Sequence, residues 1–419
     1  MSLGAQGAIG LLLVLGGAVV GAPVVVVLGL AAFAFDLARA VWSARGLDDV
    51  AYERRLGSHR AVVGDAIPLA VTVWNRKRLP LAWLRAEDAA TAGVVIRERA
   101  LVPSEDAGTA LRNAWSLAPF ERVVRHFTIE ASRRGVHELG PVRLTVGDLF
   151  AAQAGARDVE AVDRWVVRPR SVPVHGALAR ERWGGDERGR RGPLEHPISY
   201  AGVRDYMPGD PLRRIHGPAS ARLGRPVVKR FDPAREREVL LALDIQTVPG
   251  AAWEATYIDD AVEGLCVAAA SIARRLRDEG ASFGLAVAGY AGTARAIAYL
   301  SPSESGAQLE RVLDLLARLS SFPSAPFERL LGSLPRRLRP GATVLVLTAR
   351  DPAPFAPTLR RLGRLGYGVT VVRLDAGATG PADLGAPAPG KAPRSGAAIA
   401  IRHARLDGPW ATAGSLTIT

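Results

Sequence analysis

Hydrophobic positions change their spacing twice along this chain of 419 residues. The first 35 residues include no Asp, Glu, Lys, Arg or His. Between Leu56 and Asp148 apolar and polar residues alternate, and from Glu238 short apolar runs take turns with segments whose apolar positions recur every three or four residues. A long uncharged run is typical of a membrane-spanning helix. Alternation is typical of half-buried strands, and the mixed pattern is typical of strands that alternate with helices along the chain. The pattern therefore predicts three regions in series.

The amino-terminal region, residues 1–42, is longer than the roughly 20 residues that one membrane span requires. The stretch Gly21–Pro23 interrupts it, so the region is either one long kinked helix or, as we expect, a hairpin of two helices. The hairpin requires Asp36 and Arg39 to reach the membrane interface, where Trp42 would act as an anchor. A cleaved signal peptide is disfavoured because no basic residue precedes the apolar run.

Basic residues follow this region, and only the amino terminus is basic before it. The positive-inside rule therefore predicts a cell-membrane protein whose remaining domains face the cytoplasm, under either helix count. The one cysteine, Cys266, suits a reducing compartment and excludes an intramolecular disulfide or a cysteine-ligated metal cluster. Its place on the apolar side of a predicted helix indicates a core residue. The basic residues that carry the argument are Arg39, Arg45, Arg54, Arg55 and Arg60.

Residues 55–170 predict an antiparallel β-sandwich. Apolar residues alternate with polar ones in several short runs, a turn-like segment with charges separates two of them at Asn75–Pro80, and no long helical pattern intervenes. The clearest alternating positions are Ile67, Leu69, Val71 and Val73, then Phe127, Ile129 and Ala131, then Val142, Leu144 and Val146.

Residues 238–376 predict a doubly wound α/β domain with a mostly parallel sheet. Four continuous apolar runs, "EVLLALD", "FGLAVAGY", "ATVLVLT" and "GVTVVRL", are typical of buried parallel strands. Helical spacing separates them over Ile258–Leu276, Leu309–Leu319 and Pro357–Leu365. Residues 377–419 begin with an Ala/Gly/Pro-rich stretch and are expected to form a flexible tail.

The net charge of +13 is concentrated in one part of the chain. Residues 164–237 hold seventeen Lys or Arg against eight Asp or Glu, a net +9. Such an excess favours phosphates, anionic lipid headgroups or an acidic protein face. Specific nucleic-acid binding is not expected, because interleaved aromatics and helix-turn-helix or zinc-finger spacings are missing. Residues 171–237 are predicted to be a basic linker, with a polar loop at Gly184–Pro193.

This linker contains the densest chemistry of the chain, "YAGVRDYMPGDPLRRIHGPASAR", Tyr200–Arg222. Pro208–Gly209 suits the centre of a type II turn, and Asp210 can accept amide protons there. The arginines of this stretch suit bidentate pairing with Asp205 and Asp210. We expect an Arg–Asp network that holds the loop against one of the domains, together with a face for a partner. The candidate residues are Arg204, Asp205, Tyr206, Gly209, Asp210, Arg213, Arg214, His216, Ser220 and Arg222.

Enzymatic interpretations of the same residues are weaker. Asp210, His216 and Ser220 supply the residue types of a hydrolytic triad, but Ser220 lacks the Gly-x-Ser-x-Gly elbow. No His-Glu-x-x-His spacing and no P-loop sequence occur. Any ATPase activity would therefore belong to a separate partner.

The order of these features resembles a known family. The runs "RRGVHELGPVRLTVGDLF" and "GVRDYMPGDPLRRIHGPASARLGRPVVKRF", followed by a strand ending in Asp244, resemble the family catalogued as domain of unknown function family fifty-eight. The resemblance implies a von Willebrand factor A-like α/β domain beside the sandwich and the membrane hairpin. It also implies partnership with a MoxR-type AAA+ ATPase. The family usually has Trp where this chain has Gly217, so we expect a looser loop here.

The resemblance bears on metal binding as well. Metal-binding A domains hold Mg²⁺ with an Asp-x-Ser-x-Ser loop, and here Gln246 and Val248 replace both serines. Asp244 is kept, and Asp351 is a candidate second carboxylate. Hard oxygen ligands are what Mg²⁺ needs, so a weak ion is the alternative to a buried Asp244 that caps loop amides. We expect no cofactor.

The hypothesis from sequence is a noncatalytic, membrane-anchored cytoplasmic adaptor or assembly factor that presents an A-like domain to a MoxR-type ATPase or to a client protein. The alternative is a metal-dependent or hydrolytic enzyme that uses Asp244, Asp351 or His216. A scaffold at the anionic lipids of the inner leaflet is the third option.

Overall fold

A computed structural model describes residues 5–104, 108–147, 153–178, 200–207, 210, 215–231, 238–247, 258–292, 296–375 and 399–419. The chain divides into two units. Unit 1 comprises Met1–Arg170 with Leu313–Leu319, and unit 2 comprises Ser171–Val312 with Ser320–Thr419.

Unit 1 begins with two helices, α1 (Ala5–Val20) and α2 (Pro23–Arg45). The helices separate at Gly21, whose φ of +70° favours glycine, and Pro23 starts α2 at a position that tolerates a missing N–H. The described backbone therefore has two helices and not one continuous helix, and a hairpin that crosses a membrane stays a prediction. Residues Pro23–Val41 of α2 are long and apolar enough to cross a membrane, whereas the Trp42 side chain lies outside the described residues.

Glycines set the close contact between α1 and α2. A Cβ on Gly10 would lie 2.8 Å from the main-chain nitrogen of Phe33 and 2.9 Å from the carbonyl oxygen of Gly29. A Cβ on Gly17 would lie 3.0 Å from the main-chain nitrogen of Val26. The early part of α1 thus faces the later part of α2, as in an antiparallel pair, and small residues permit the approach.

The rest of unit 1 consists of two β-sheets, as the alternation predicts. One sheet has the order β1-β3-β8-β5 and the other β2-β11-β9-β4-β7-β6, with β10 paired to β9. All pairs are antiparallel except β11 with β2. The strands are β1 (Val50–Leu56), β2 (Arg60–Val62), β3 (Ala66–Asn75), β4 (Leu81–Ala90), β5 (Val95–Ile96), β6 (Val102–Ser104), β7 (Gly108–Leu117), β8 (Arg122–Glu130), β9 (Gly135–Gly147), β10 (Gln153–Val159) and β11 (Asp163–Arg168).

A buried charged cluster connects the two sheets. Arg54 of β1 forms an ion pair with Asp88 of β4 and another with Asp163, at 2.7 Å between Nε and Oδ2. The Tyr52 hydroxyl donates to Asp88 at 2.5 Å. Arg54, counted above among the basic residues that follow the membrane segment, is thus a core residue. Alternation places it inward, because Tyr52 and Arg54 are two residues apart on one strand.

Unit 2 is built on an eight-stranded mixed sheet with the order β12-β23-β22-β21-β20-β15-β16-β18. The pairs from β16 through β15, β20 and β21 to β22 are parallel, and β18 closes one side antiparallel. Its strands are β12 (Val174–His175), β15 (Glu238–Leu243), β16 (Ser282–Val287), β18 (Ala298–Ser303), β20 (Thr343–Thr348), β21 (Gly368–Leu374), β22 (Ala400–Leu406) and β23 (Leu416–Ile418). Two smaller sheets pair β13 (Tyr200–Asp205) with β14 (Val227–Phe231) and β17 (Gly289–Ala291) with β19 (Leu319–Pro323).

Helices cover this sheet. One hydrophobic cluster joins alternate residues of β15 and β20, such as Leu240 and Val344, to Phe327 and Phe355 near α6 and α7. Helix α4 contacts β15, β16 and β20 outside that cluster, so it packs on the other face. Cys266 is buried on α4, as expected. The helices after β13 are α3 (Gly217–Leu223), α4 (Asp259–Asp278), α5 (Gln308–Arg318), α6 (Phe327–Ser333) and α7 (Ala356–Arg364); α3 belongs to the smaller β13–β14 sheet, and α5 from Leu313 onward belongs to unit 1.

The boundaries predicted for the linker and the tail need correction. Residues 399–419 supply β22 and β23 to the large sheet and are not a flexible tail, because Ala404 packs into the core as β22 pairs with β21. The linker likewise supplies β12, β13, β14 and α3. The loop Gly184–Pro193 and residues 376–398 lie outside the described residues.

Candidate functional site

The family-like motif folds into a small unit that we call the motif hairpin: the described residues of 200–231, which include β13, α3 and β14. Strands β13 and β14 pair antiparallel, with Val203 opposite Lys229 and Asp205 opposite Val227. Ile215 adds an isolated bridge to Val228. The segment expected to be a loop is therefore a hairpin with a short helix in its connection.

Two Arg–Asp pairs stabilise the motif hairpin. Arg204 holds Asp210 with both guanidinium Nη atoms at 2.7 Å. Asp210 also accepts from the main-chain N–H of Met207 at 3.0 Å, which confirms its predicted role at the turn. Asp205 pairs with Arg225 at 2.9 Å, a partner that the sequence reasoning missed. The pairing of β13 with β14 sets Asp205 opposite Val227, and this brings Arg225, two residues before Val227, close to Asp205.

Some predicted members of the network cannot be placed. Pro208, Gly209, Arg213 and Arg214 lie outside the described residues. The bonds described above join parts of the motif hairpin to one another, so a clamp against a neighbouring domain stays a prediction.

His216 and Ser220 have local structural roles. His216 Nδ1 accepts from the N–H of Ala219 at 3.1 Å and so caps the start of α3. The Ser220 hydroxyl accepts from the N–H of Val227 at 3.0 Å and ties α3 to β14. A hydrolytic triad needs the histidine Nδ1–H to donate to its carboxylate. Nδ1 is an acceptor here, and Asp210 is held by Arg204, so the structure does not assemble this triad.

Gly217 is the first residue of α3, and nothing described lies within 4 Å of the position of an added Cβ. A Cβ at this position would meet none of the described residues, and the looser loop expected from Gly217 stays a prediction.

The motif hairpin directs apolar side chains outward. The exposed fraction is 65% for Met207 and 52% for Leu223, and Arg222 is exposed beside Leu223. Tyr206 is half-buried, and its N–H donates to the carbonyl of Pro226 at 3.0 Å. The hairpin thus exposes Met, Leu and Arg side chains, and Met and Arg are two of the residue types that are enriched in protein interfaces.

A second candidate site lies where β15 and β20 end, at the carboxyl edge of the sheet. Strand β15 lies between β16 and β20, so the chain continues from β15 to its neighbour on one side and later returns to form its neighbour on the other side. A point where the strand order reverses in this way is where α/β sheets bind ligands. Asp244 follows β15 and is almost fully buried. Its carboxylate accepts from the Thr348 hydroxyl at 2.9 Å, from Arg350 Nε at 2.8 Å and from the Gln246 N–H at 3.2 Å.

The Arg350 guanidinium lies beside the Asp244 carboxylate, at the position where the sequence suggested a weakly held cation. A divalent ion would have to displace this buried guanidinium to reach the carboxylate. Burial raises the pKa of Asp244 to about 6, although Arg350 and Thr348 act to lower it. The predicted capping of a loop amide by Asp244 is confirmed, and Arg350 is a buried ionic partner that the local sequence pattern does not indicate.

Asp351 does not join this site. Its side chain is exposed and accepts from the N–H of Ala353, two residues further along the chain, at 3.1 Å. Within the described ranges no group of three or more His, Cys, Asp or Glu is arranged to hold a metal ion. The described residues therefore do not fit Mg²⁺.

One family of known proteins matches a segment that includes both the motif hairpin and much of the α/β unit. Residues 202–372 match the family described as Protein of unknown function DUF58. The chain is also 25% identical over 240 residues to "Uncharacterized protein YeaD" of Bacillus subtilis, covering 56% of this chain and 55% of that protein. The chain thus spans about half the length of the curated relative that it matches.

Solved structures show only distant likeness. The CARDB domain of the PF1109 protein from Pyrococcus furiosus is 14% identical, with a TM-score of 0.21 over 28% of this chain and 87% of that domain. A cohesin module from a Clostridium perfringens family 33 glycoside hydrolase is 12% identical, with a TM-score of 0.20 over 28% of this chain and 96% of the module. At TM-scores this low, the strand pairing and not the likeness defines the fold.

Proposed function

We propose that this chain is a noncatalytic, membrane-anchored cytoplasmic adaptor. Its α/β unit would present the motif hairpin to a protein partner, a MoxR-type AAA+ ATPase or a client protein. The observation that carries the proposal is the outward Met207 and Leu223 on a hairpin whose own charges are paired internally by Arg204–Asp210 and Asp205–Arg225.

Internal pairing favours a binding role because it fixes the backbone before a partner arrives. A surface that is already ordered loses less conformational entropy on association than a loop that must fold. The exposed Met207 and Leu223 side chains would each become buried in an interface, and Arg222, next to Leu223 in the chain, would lie at its edge. A basic rim to such a patch suits an acidic partner face.

The arrangement of the large sheet supports the finer part of the proposal. Parallel strands in the order β16-β15-β20-β21-β22, with antiparallel β18 at the side of β16, are compatible with a von Willebrand factor A-like doubly wound domain. If the unit is such a domain, Arg350 would take the place of its cation beside Asp244. Partner binding would therefore not use a shared metal ion.

The membrane anchor in this proposal is the α1–α2 hairpin. Helix α2 meets the length and hydropathy of a span, and Arg39 and Arg45 lie in its carboxyl-terminal part. The positive-inside rule then assigns the two folded units to the cytoplasm.

Direct binding to a purified MoxR-type ATPase from the same organism tests the adaptor proposal. The full chain in detergent would be immobilised, and the ATPase applied with ATP, with a nonhydrolysable analogue and without nucleotide. Met207→Ser/Leu223→Ser should weaken binding about 30-fold, the effect of losing roughly 2 kcal/mol of interface energy.

Ile401→Ser is the matched control, because Ile401 is an exposed apolar residue of unit 2 outside the motif hairpin. It should bind as the unchanged chain does. Failure of the unchanged chain to bind in every nucleotide state would refute the ATPase as partner. Equal binding by the double variant would refute the motif hairpin as the interface.

A further inference from the structure

The rim of unit 1 beside the carboxyl end of α2 combines cations with exposed aromatic rings. We call this set the α2 rim. It comprises the last residue of α2, the turn after β3, the turn before β8, the adjoining outer face of the first sheet and Arg157 of β10. Its side chains are Arg45, Arg55, Trp74, Arg76, Lys77, Arg78, Phe120, Arg122 and Arg157.

Hydrogen bonds attach the α2 rim directly to the end of α2. Lys77 Nζ donates to the carbonyl of Gly46 at 2.8 Å and to that of Asp48 at 2.6 Å. Arg157 Nη2 donates to the carbonyl of Val50 at 2.8 Å, and the N–H of Arg76 donates to the carbonyl of Asp49 at 2.9 Å. The position of the rim is therefore determined by the position of α2.

The position of α2 sets the depth of the rim in a bilayer. The apolar span ends at Val41, and Gly46 lies five residues further along the chain, or about 8 Å at the helical rise. The headgroup layer on each side of the hydrocarbon core is about 5–8 Å thick. The turn that Lys77 holds against Gly46 thus lies at headgroup level if α2 spans the bilayer.

The aromatic residues of the rim suit that depth. Phe120 has an exposed fraction of 60% and sits beside Lys77, because its N–H donates to the Lys77 carbonyl at 3.3 Å. The Arg76 guanidinium lies 4.2 Å from the centre of the partly exposed Trp74 ring. Aromatic and long basic side chains are enriched at the membrane interface, since each has an apolar body and a polar or charged end.

The rim also offers a shallow recess for an anion. Its volume is about 180 Å³, and it opens on the outer face of β1, β3 and β8. Three arginines and one carboxylate line it, together with Trp74 and small residues; the charged members are Glu53, Arg55, Arg76 and Arg122. Glu53 is 3.9 Å from Arg55, so Arg76 and Arg122 supply the excess positive charge.

Acidic residues near the rim do not cancel this charge. The rim has seven cationic side chains, and the neighbouring acids are Glu53, Asp48, Asp49 and Glu121. Glu121 already accepts from the N–H of Ala118 at 2.6 Å. A positive surface held at headgroup level attracts anionic lipids by about 1 kcal/mol for each basic residue.

We infer that the α2 rim binds the headgroups of anionic phospholipids. Arg76 and Arg122 would contact a lipid phosphate in the recess while Phe120 enters the interface. The inference rests on the membrane anchor of the proposed function but not on the ATPase partner. It also concerns a different surface from residues 164–237, where the charge of the sequence is concentrated.

Position-specific fluorescence quenching in lipid nanodiscs tests the inference on the full chain. A fluorophore would be attached at Phe120→Cys, at Val95→Cys or at Leu28→Cys, since the native Cys266 is buried. Val95 pairs with Glu130 at the far end of β8, about 27 Å from Arg122 at the strand rise. Nitroxide groups would be placed on phosphatidylglycerol headgroups, on phosphatidylcholine headgroups or on acyl chains.

The label at position 120 should be quenched by headgroup nitroxide and the label at position 95 should not. Quenching at position 120 should also be stronger with labelled phosphatidylglycerol than with labelled phosphatidylcholine at equal content. Arg76→Gln/Arg122→Gln should reduce this local enrichment by about five-fold for each arginine removed. The charge-matched control, Arg60→Gln/Arg97→Gln at the far end of the sandwich, should leave it unchanged.

The label at position 28 separates the two possible failures. If acyl-chain nitroxide quenches it while positions 120 and 95 are quenched equally by headgroups, the anchor stands and the lipid rim is refuted. If position 28 escapes acyl-chain quenching, the anchor and the rim both fall. Equal enrichment of the two headgroups at position 120 would refute recognition of the anionic lipid.

Discussion

Two Arg–Asp pairs in unit 2 have the same chemistry and opposite surroundings. Asp244 and Arg350 meet inside the fold, with side-chain exposures of 1% and 7%. Arg204 and Asp210 meet on the motif hairpin, where the arginine side chain is 43% exposed. Water can solvate the second pair after one partner is lost but cannot reach the first. The same bond therefore supports the core at one place and shapes a surface at the other.

Arg350→Met should have the largest effect, because it leaves the Asp244 carboxylate buried without a cation. We expect a loss of about 3–5 kcal/mol in the opening free energy of β15 and β20. Hydrogen exchange of the peptides that contain these strands measures it in the full chain. Adding Asp244→Asn should recover part of the loss. Wild-type exchange in Arg350→Met would show that the pair is dispensable.

The pH dependence of the same strands should come next in size. In the folded chain the pKa of Asp244 is raised to about 6 from 3.8, so the unfolded chain releases this proton first as pH rises. Stability from this group is thus complete below about pH 4, falls through about pH 6 and is then constant. The total change is about 3 kcal/mol.

Asp244→Asn is the reference for this pH prediction, since it keeps the side-chain shape and removes the titration. The opening free energy of the wild type minus that of the variant should fall as pH rises from about 4 to 7. Hydrogen exchange corrected for the intrinsic rate gives both values. A difference that is constant over this range would contradict the raised pKa.

Arg204→Met should have the smallest effect, about 1 kcal/mol or less, because the pair is partly solvated. Its bidentate geometry places it at the upper end of that range. Exchange of the β13 and β14 amides reports it, while β15 and β20 should be unaffected. A loss as large as that of Arg350→Met would remove the contrast between the two pairs.

Periodicity predicted most elements of both units. The four apolar runs became β15, β16, β20 and β21, and the helical spacing became α4, α5 and α7, since each pattern reflects a nearby packing surface. The prediction of a flexible tail was wrong because β22 is a partly exposed strand whose sequence, "AIRHARL", is nearly half polar. Pairing with β21 orders it, and pairing is invisible in local composition.

The candidate site divides in the same way. Asp210 at its turn was predictable because Asx side chains accept local amide protons. Arg225 and Arg350 were not, since each reaches its partner through strand pairing. A basic residue two positions after the strand that neighbours β15 was the available signal for Arg350, but using it requires knowing that β20 is that neighbour.

By itself, the sequence determined the uncharged amino-terminal helices, the alternation of the sandwich strands and the buried runs of the α/β unit. Those features depend on residues within a few positions of each other. Only the tertiary structure decided that Arg54 is a core residue, that Arg350 occupies the carboxylate of Asp244 and that Lys77 fastens the sandwich to the end of α2. The partners in these contacts lie about 30 to 106 residues apart, so chain topology brings them together and local pattern carries no record of it.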